Sequence, residues 1–250
     1  FTSAAVMKLV EEGKLALDDD ISKYTPFPTH GRRILIRHLL NHTSGIPSYT
    51  DVGARWGRTI RLDLPHDSLL AIVRNDSLMF EPGSHMYYNN TGYYLLGVII
   101  EKVTGQSYGD YLAQTFFKPL GLSGTTYCGV APIIRHRADG YQVQSGQLVN
   151  ADYLSMNQPF AAGALCSTTG DLVKWTRALS SGKVVSPASY ARMTTPEPLA
   201  SKRPMTYAYG LVADTLGKHR VVLHGGGING FVSDLRHYPD DSLVIAVLAN

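Results

Sequence analysis

The chain has 250 residues, 44% hydrophobic and 17% charged, a balance that excludes a disordered or fibrous polypeptide and fits one large globular domain over 1–250. Its longest apolar runs, 93–100 and 243–249, fall far short of the ~20 residues that a membrane-spanning helix needs. Lys and Arg number 23 against 20 acidic residues, a net charge of +3 without any long basic run, which argues against nucleic acid as a partner.

In chain order, a helix is predicted over 1–12, with Phe1, Ala5, Val6, Leu9 and Val10 on one face and Gly13 as its stop. An acidic connector, 15–24, follows. Further helical segments are predicted over 34–41 and 69–75. The loop Phe80-Glu81-Pro82-Gly83 and the segment Tyr87-Tyr88-Asn89-Asn90-Thr91-Gly92 lead into helices over 93–103 and 108–117. A helix over 169–180 has Leu172, Trp175, Thr176 and Leu179 at helical spacing, with Thr168 or Thr169 as its cap. The last forty residues change character. Strands are predicted over 219–224, 231–238 and 243–248, joined by a glycine-rich turn (225–230) and by Pro239-Asp240-Asp241. Short connections imply an antiparallel meander, and helices followed by strands imply an α+β architecture.

Two motif matches read as decoys. Gly105-Gln106-Ser107-Tyr108-Gly109 fits G-x-S-x-G, but a helix precedes it where a nucleophile elbow needs a strand, so Gly105 reads as a C-cap and Ser107 as an N-cap. Ser180-Ser181-Gly182-Lys183 fits S-x-x-K, but Gly182 sits inside the quartet at a helix end. The cysteines Cys128 and Cys166 fit no zinc spacing, and the nine histidines form no HExxH or Cys/His cluster, so neither a metal nor an organic cofactor is expected.

Two other constellations could carry chemistry. Tyr88 and Asn90, two apart in an extended stretch, project to one side and can aim a phenol and a carboxamide at one point, although Tyr87 and Asn89 share that spacing and, for the segment in isolation, a turn with a packed tyrosine is the favoured reading. His224-Gly225-Gly226-Gly227 ends an apolar strand. Its glycines let a ligand approach the backbone and its N–H groups can face an oxyanion, while a plain tight turn is the competing reading.

Taken in order, these segments resemble the serine β-lactamase and penicillin-binding-protein-like family, which includes class C β-lactamases, DD-peptidases, D-aminopeptidases and esterases. The resemblance rests on Ala4-Ala5-Val6-Met7 to Asp18, on 37–47 (Arg-His-Leu-Leu-Asn-His-Thr-Ser-Gly-Ile-Pro), and on 80–83 followed by Tyr88-x-Asn90-Thr91-Gly92-Tyr93. It continues through Ala162-Gly163, Ser167-Thr168-Thr169-Gly170-Asp171-Leu172, and His224-x-Gly226 with Gly230-Phe231. It implies an antiparallel sheet flanked by helices with a helical subdomain, here roughly 25–165, placed before the strands of 219–250. The family's Ser-x-x-Lys motif is absent. In relatives it lies just upstream of a Phe-Thr like Phe1-Thr2, so the chain reads as truncated at both ends and inactive alone.

By the resemblance, a serine would attack an amide, lactam or ester of a small molecule or peptide. Tyr88 would relay protons, Asn90 would hold the lysine and the substrate amide, and the Gly227 N–H would be an oxyanion donor. His224, Gly225 and Gly226 would line the substrate site. His224 replaces the lysine of the third motif, and some DD-peptidases also carry histidine there. A non-catalytic binding or regulatory relative is the alternative. The family also implies an extracytoplasmic location. In such a setting Cys128 and Cys166, each beside a turn-prone segment, could be a disulfide or two buried thiols. Oligomeric state is not legible.

Overall fold

A computed structural model describes residues 1–250. Helix α1 (Thr2–Glu11) stops where predicted, with Gly13 at a φ of 69° just past its end. After the acidic connector come α2 (Ile36–Leu40), α3 (Ala54–Gly57) and α4 (His66–Leu70). The last of these lies earlier than the predicted 69–75, because Pro65 at its N-cap starts the turn and the chain is already leaving the helix at Ala71.

Helix α5 (Asn90–Thr104) is the centre of the molecule. Tyr94, Leu95, Leu96, Ile99 and Ile100 are fully buried and join Ala4, Ala5, Val6 and Leu9 of α1 with Leu39 and Leu40 of α2 in one core. It begins three residues before the predicted start because the Asn89 side chain accepts the Gly92 N–H at 2.8 Å, and Gly105 closes it at a φ of 69°. Gly97 lies under α7 (Phe160–Gly163), where a Cβ would come within 2.4 Å of Ala161 and of the Phe160 ring. Helix α6 (Tyr108–Leu112), capped by Ser107, runs on into a π-helical turn over Ala113–Phe117. Helix α8 spans Thr169–Ser180 as predicted, capped by Thr168. Helix α9 (Pro187–Thr194) was not anticipated, although Ser186 at the N-cap followed by proline at the first helical position is a legible start signal.

The mainly helical stretch carries two small strand pairs. Strand β1 (Thr126–Tyr127) pairs with β4 (Leu165–Cys166), and β2 (Tyr141–Gln144) forms a hairpin with β3 (Gln147–Asn150). Cys128 and Cys166 are joined in a disulfide beside the first pair, with Cα atoms 5.5 Å apart. That separation lies inside the range a disulfide requires.

The C-terminal sheet has four antiparallel strands in the order β5 (Val212–Leu216), β6 (His219–Ile228), β7 (Phe231–Tyr238) and β8 (Leu243–Ala249). Strand β5 is additional to the three predicted. The glycine-rich turn is a correction too: Gly225, Gly226 and Gly227 continue β6, and only Asn229 and Gly230 turn. Pairing with β7 supplies the backbone hydrogen bonds that hold these glycines extended without side chains.

Strand β5 covers only the first half of β6, from His219 to Leu223. From His224 to Ile228, β6 is paired with β7 alone and its other edge is open. At the far end, Gly230 lies against Gly140 at the root of the β2–β3 hairpin. A Cβ on Gly230 would approach the Gly140 Cα to 2.6 Å, and one on Gly140 would approach the Phe231 ring to 2.8 Å. Asn229 Nδ2 donates to the Asp152 carbonyl at 3.0 Å, completing this clamp.

Candidate active site

Tyr88 sits in the extended segment that enters α5. Its ring is partly exposed, tilted over the His42 ring with centroids 4.2 Å apart, and 6.3 Å from the His224 ring. Burial raises the phenol pKa above its ordinary value. Tyr88 and His224, 136 positions apart in sequence, are therefore brought to one place. Asn90 is the first residue of α5. Its backbone N–H donates to Ser48 Oγ at 3.2 Å and its Nδ2 to Thr50 Oγ1 at 3.1 Å, so its carboxamide is turned onto that segment.

His224 stands where β6 passes the end of β5. Its Nε2 is 3.1 Å from the Tyr207 hydroxyl, and its Nδ1 is 2.5 Å from the Gly225 carbonyl oxygen. Burial lowers its pKa, so the imidazole is neutral at neutral pH. Beyond it, the antiparallel ladder decides which N–H groups are free. Residues alternate between bonding one neighbour and the other. The two-residue turns that close on Leu216/His219 and Ile228/Phe231 fix the phase from both ends. His224, Gly226 and Ile228 then bond to β7, while the N–H groups of Gly225 and Gly227 face the open edge.

Two aromatic residues that the sequence reading did not single out complete the wall. Tyr207 is buried, its ring 4.6 Å from His42 and 6.0 Å from Tyr88. His42 is buried among Tyr88, Tyr93 and Tyr207. His42 lies in the 37–47 segment, where a histidine by itself carries no separate signal, and Tyr207 carries none. Both decoys are structural. Ser107 Oγ caps α6 and bonds Asp110, and Ser180 Oγ donates to the Arg177 carbonyl at 3.3 Å. No group of three or more His, Cys, Asp or Glu side chains is placed to hold a metal ion, and no helix is long and apolar enough to cross a membrane.

A neutral imidazole beside a phenol on an aromatic wall, and next to them a strand edge with two free glycine N–H groups, are groups that can bind a carbonyl compound and move protons beside it. The model of the beta-lactamase family matches residues 1–250, and the chain belongs to that family of serine hydrolases. It is 33% identical over 267 residues to penicillin-binding protein 4* of Bacillus subtilis, covering all of this chain and 58% of that protein. The chain spans about half the length of the curated relatives it matches.

Among solved structures, it is similar to a D-stereospecific amidohydrolase from Streptomyces, with a TM-score of 0.87 and 30% identity over all of this chain and 78% of the other. It is also similar to a D-amino acid amidase from Ochrobactrum anthropi, with a TM-score of 0.86 and 25% identity over all of this chain and 73% of the other.

Proposed function

We propose that this chain supplies the proton-relay wall and the oxyanion edge of a serine acyl hydrolase acting on amides or esters of D-amino acids. The nucleophile would come from a Ser-x-x-Lys segment joined ahead of Phe1. Ser3 Oγ at the start of α1 lies 3.0 Å from the Tyr93 hydroxyl, whose ring packs against His42, so such a segment would enter beside the aromatic wall that carries Tyr88. Its serine Oγ would add to the carbonyl carbon, the oxyanion resting on the Gly227 N–H and the serine's own N–H. Collapse would break the bond to the leaving amine, which takes its proton through Tyr88. Water would then hydrolyse the acyl-enzyme. The rings against Tyr88 are uncharged at neutral pH, so the phenol needs the lysine's charge beside it to act as a base.

The observation that carries the substrate reading is the neutral His224, tied to Tyr207 and the Gly225 carbonyl. It offers no permanent cation for a substrate carboxylate, which favours amides and esters over β-lactams and carboxylate-terminated peptides. The D-stereospecific amidohydrolase and the D-amino acid amidase support a D-configured acyl group. The disulfide supports an oxidising, extracytoplasmic compartment.

The 250-residue chain alone should neither label with a fluorophosphonate nor turn over p-nitrophenyl acetate. Joined to a Ser-x-x-Lys segment, it should show an acyl burst and prefer a D-amino acid amide to its L-form. A covalent adduct on the chain as it stands, or no burst from the joined form, would overturn the reading.

A further inference from the structure

His42 is the buried group that the proposed chemistry leaves unused. It is fully enclosed, yet its backbone has a φ of 60°, a left-handed conformation uncommon for any residue with a side chain. Its carbonyl accepts the Tyr87 N–H at 2.9 Å, and its Nδ1 accepts the Asn89 N–H at 3.0 Å. One residue thus grips the backbone on both sides of Tyr88 while its ring lies under the Tyr88 ring. The turn to positive φ lets carbonyl and imidazole reach the same extended strand.

Accepting from Asn89 puts the ring proton on Nε2, where the structure gives it no partner. Tyr88, Tyr93 and Tyr207 pack against the ring, and His224 is the charged or titratable group whose field also reaches it. An uncompensated buried donor and a left-handed backbone are both unfavourable, and they coincide at the one residue that holds Tyr88.

We propose that His42 is a positioning residue, a neutral Nε2–H imidazole that fixes the Tyr88 phenol and the Asn90 entry to α5 for catalysis. This rests on the reading of Tyr88 as the proton relay of the site. Burial, which holds the imidazole pKa down to about 3, keeps the accepting nitrogen unprotonated.

The first measurement uses the chain as it exists. Nitrogen-15 NMR should show His42 as the Nε2–H tautomer, unchanged from pH 8 to pH 5, with a slowly exchanging Asn89 amide. A Nδ1–H tautomer or a titration near pH 6.5 would overturn the proposal without any appeal to activity.

The second compares His42→Asn, which tolerates positive φ and keeps an accepting oxygen, with His42→Phe, which keeps a ring but no acceptor. In the form joined to Ser-x-x-Lys, His42→Phe should lower kcat at least tenfold with KM within about twofold, and His42→Asn should recover much of that loss. Equal kcat in both variants and the parent would overturn the positioning role. If Tyr88→Phe itself leaves kcat unchanged, it is the functional reading that fails, and the tautomer still decides how His42 is held.

Discussion

His224 and His42 face the same tyrosines, yet only one of them can be exchanged for a cation with profit. His224 stands at the open edge of β6, so replacing it with lysine places a permanent charge where a substrate carboxylate would lie. In the joined enzyme, His224→Lys should raise the rate ratio of a carboxylate-terminated D-Ala-D-Ala peptide to its neutral amide at pH 8 by about tenfold, an ~1.4 kcal/mol preference. An unchanged ratio in paired kcat/KM measurements would show that position 224 does not set the choice between neutral and carboxylate-bearing substrates.

The buried His42 and the half-buried His38 act on stability instead. Burial lowers His42 to about 3 and His38 to about 4, so below pH 6.5 the unfolded chain binds protons that the native chain refuses. Their stabilisation is complete above pH 6.5 and is lost as the pH falls through that window toward 4 and then 3. Each group contributes up to about 1.4 kcal/mol per pH unit there. Urea midpoints at pH 7, 6 and 5 should fall accordingly, and His42→Asn should flatten the slope by about one proton.

Asp171 shows what a single side chain does for an element. It is buried in the first turn of α8, where its backbone N–H is capped by Thr168 Oγ1 at 3.2 Å. Its Oδ2 accepts from the Gly124 N–H at 2.7 Å and from Thr125 Oγ1 at 3.1 Å, tying the helix start to the strand that leads to Cys128. Asp171→Ala would leave the Gly124 N–H unpaired and the Thr125 hydroxyl with Ser167 Oγ as its remaining partner, and a loss of about 1–3 kcal/mol is expected in chemical denaturation. Replacing Cys128 and Cys166 with serine should cost up to ~4 kcal/mol for a crosslink spanning 38 residues, visible as a lower melting temperature. A thermal midpoint insensitive to reductant would count against it.

Much at this scale was legible. Gly13, Gly105, Ser107 and Thr168 punctuate helices with chemistry that needs no tertiary context. The glycine triplet was not, because a turn and an unpaired strand edge use glycine for different reasons and only the register with β7 separates them. The meeting of Tyr88 with His224 was legible through resemblance, since the groups gathered there come from segments around 42, 88, 207 and 224, which no local pattern joins. Tyr207, held by packing and one hydrogen bond, left no trace in the sequence.

Across the whole molecule, the core is concentrated on α5 while the far edge of the sheet is left bare. Strand β8 is the last in the order and exposes Leu243, Ile245, Val247 and Leu248, with Val232 of β7 also open. An unpaired apolar edge is a template for association. The 250-residue chain should therefore self-associate in sedimentation equilibrium at micromolar concentration, and Ile245→Lys with Val247→Lys should shift it toward monomer; a monomer at every concentration would refute this. The contact of Gly140 with Gly230 bears on how the molecule tolerates change. The tip of the β2–β3 hairpin, at Ser145 and Gly146, turns in open space, whereas its root leaves no room for a methyl group. Residues can thus be inserted or grafted at the tip while the frame stays fixed. Any side chain at the root would push the hairpin off the strand that carries Gly225 and Gly227, so loop exchange between relatives should succeed only when both glycines travel with it.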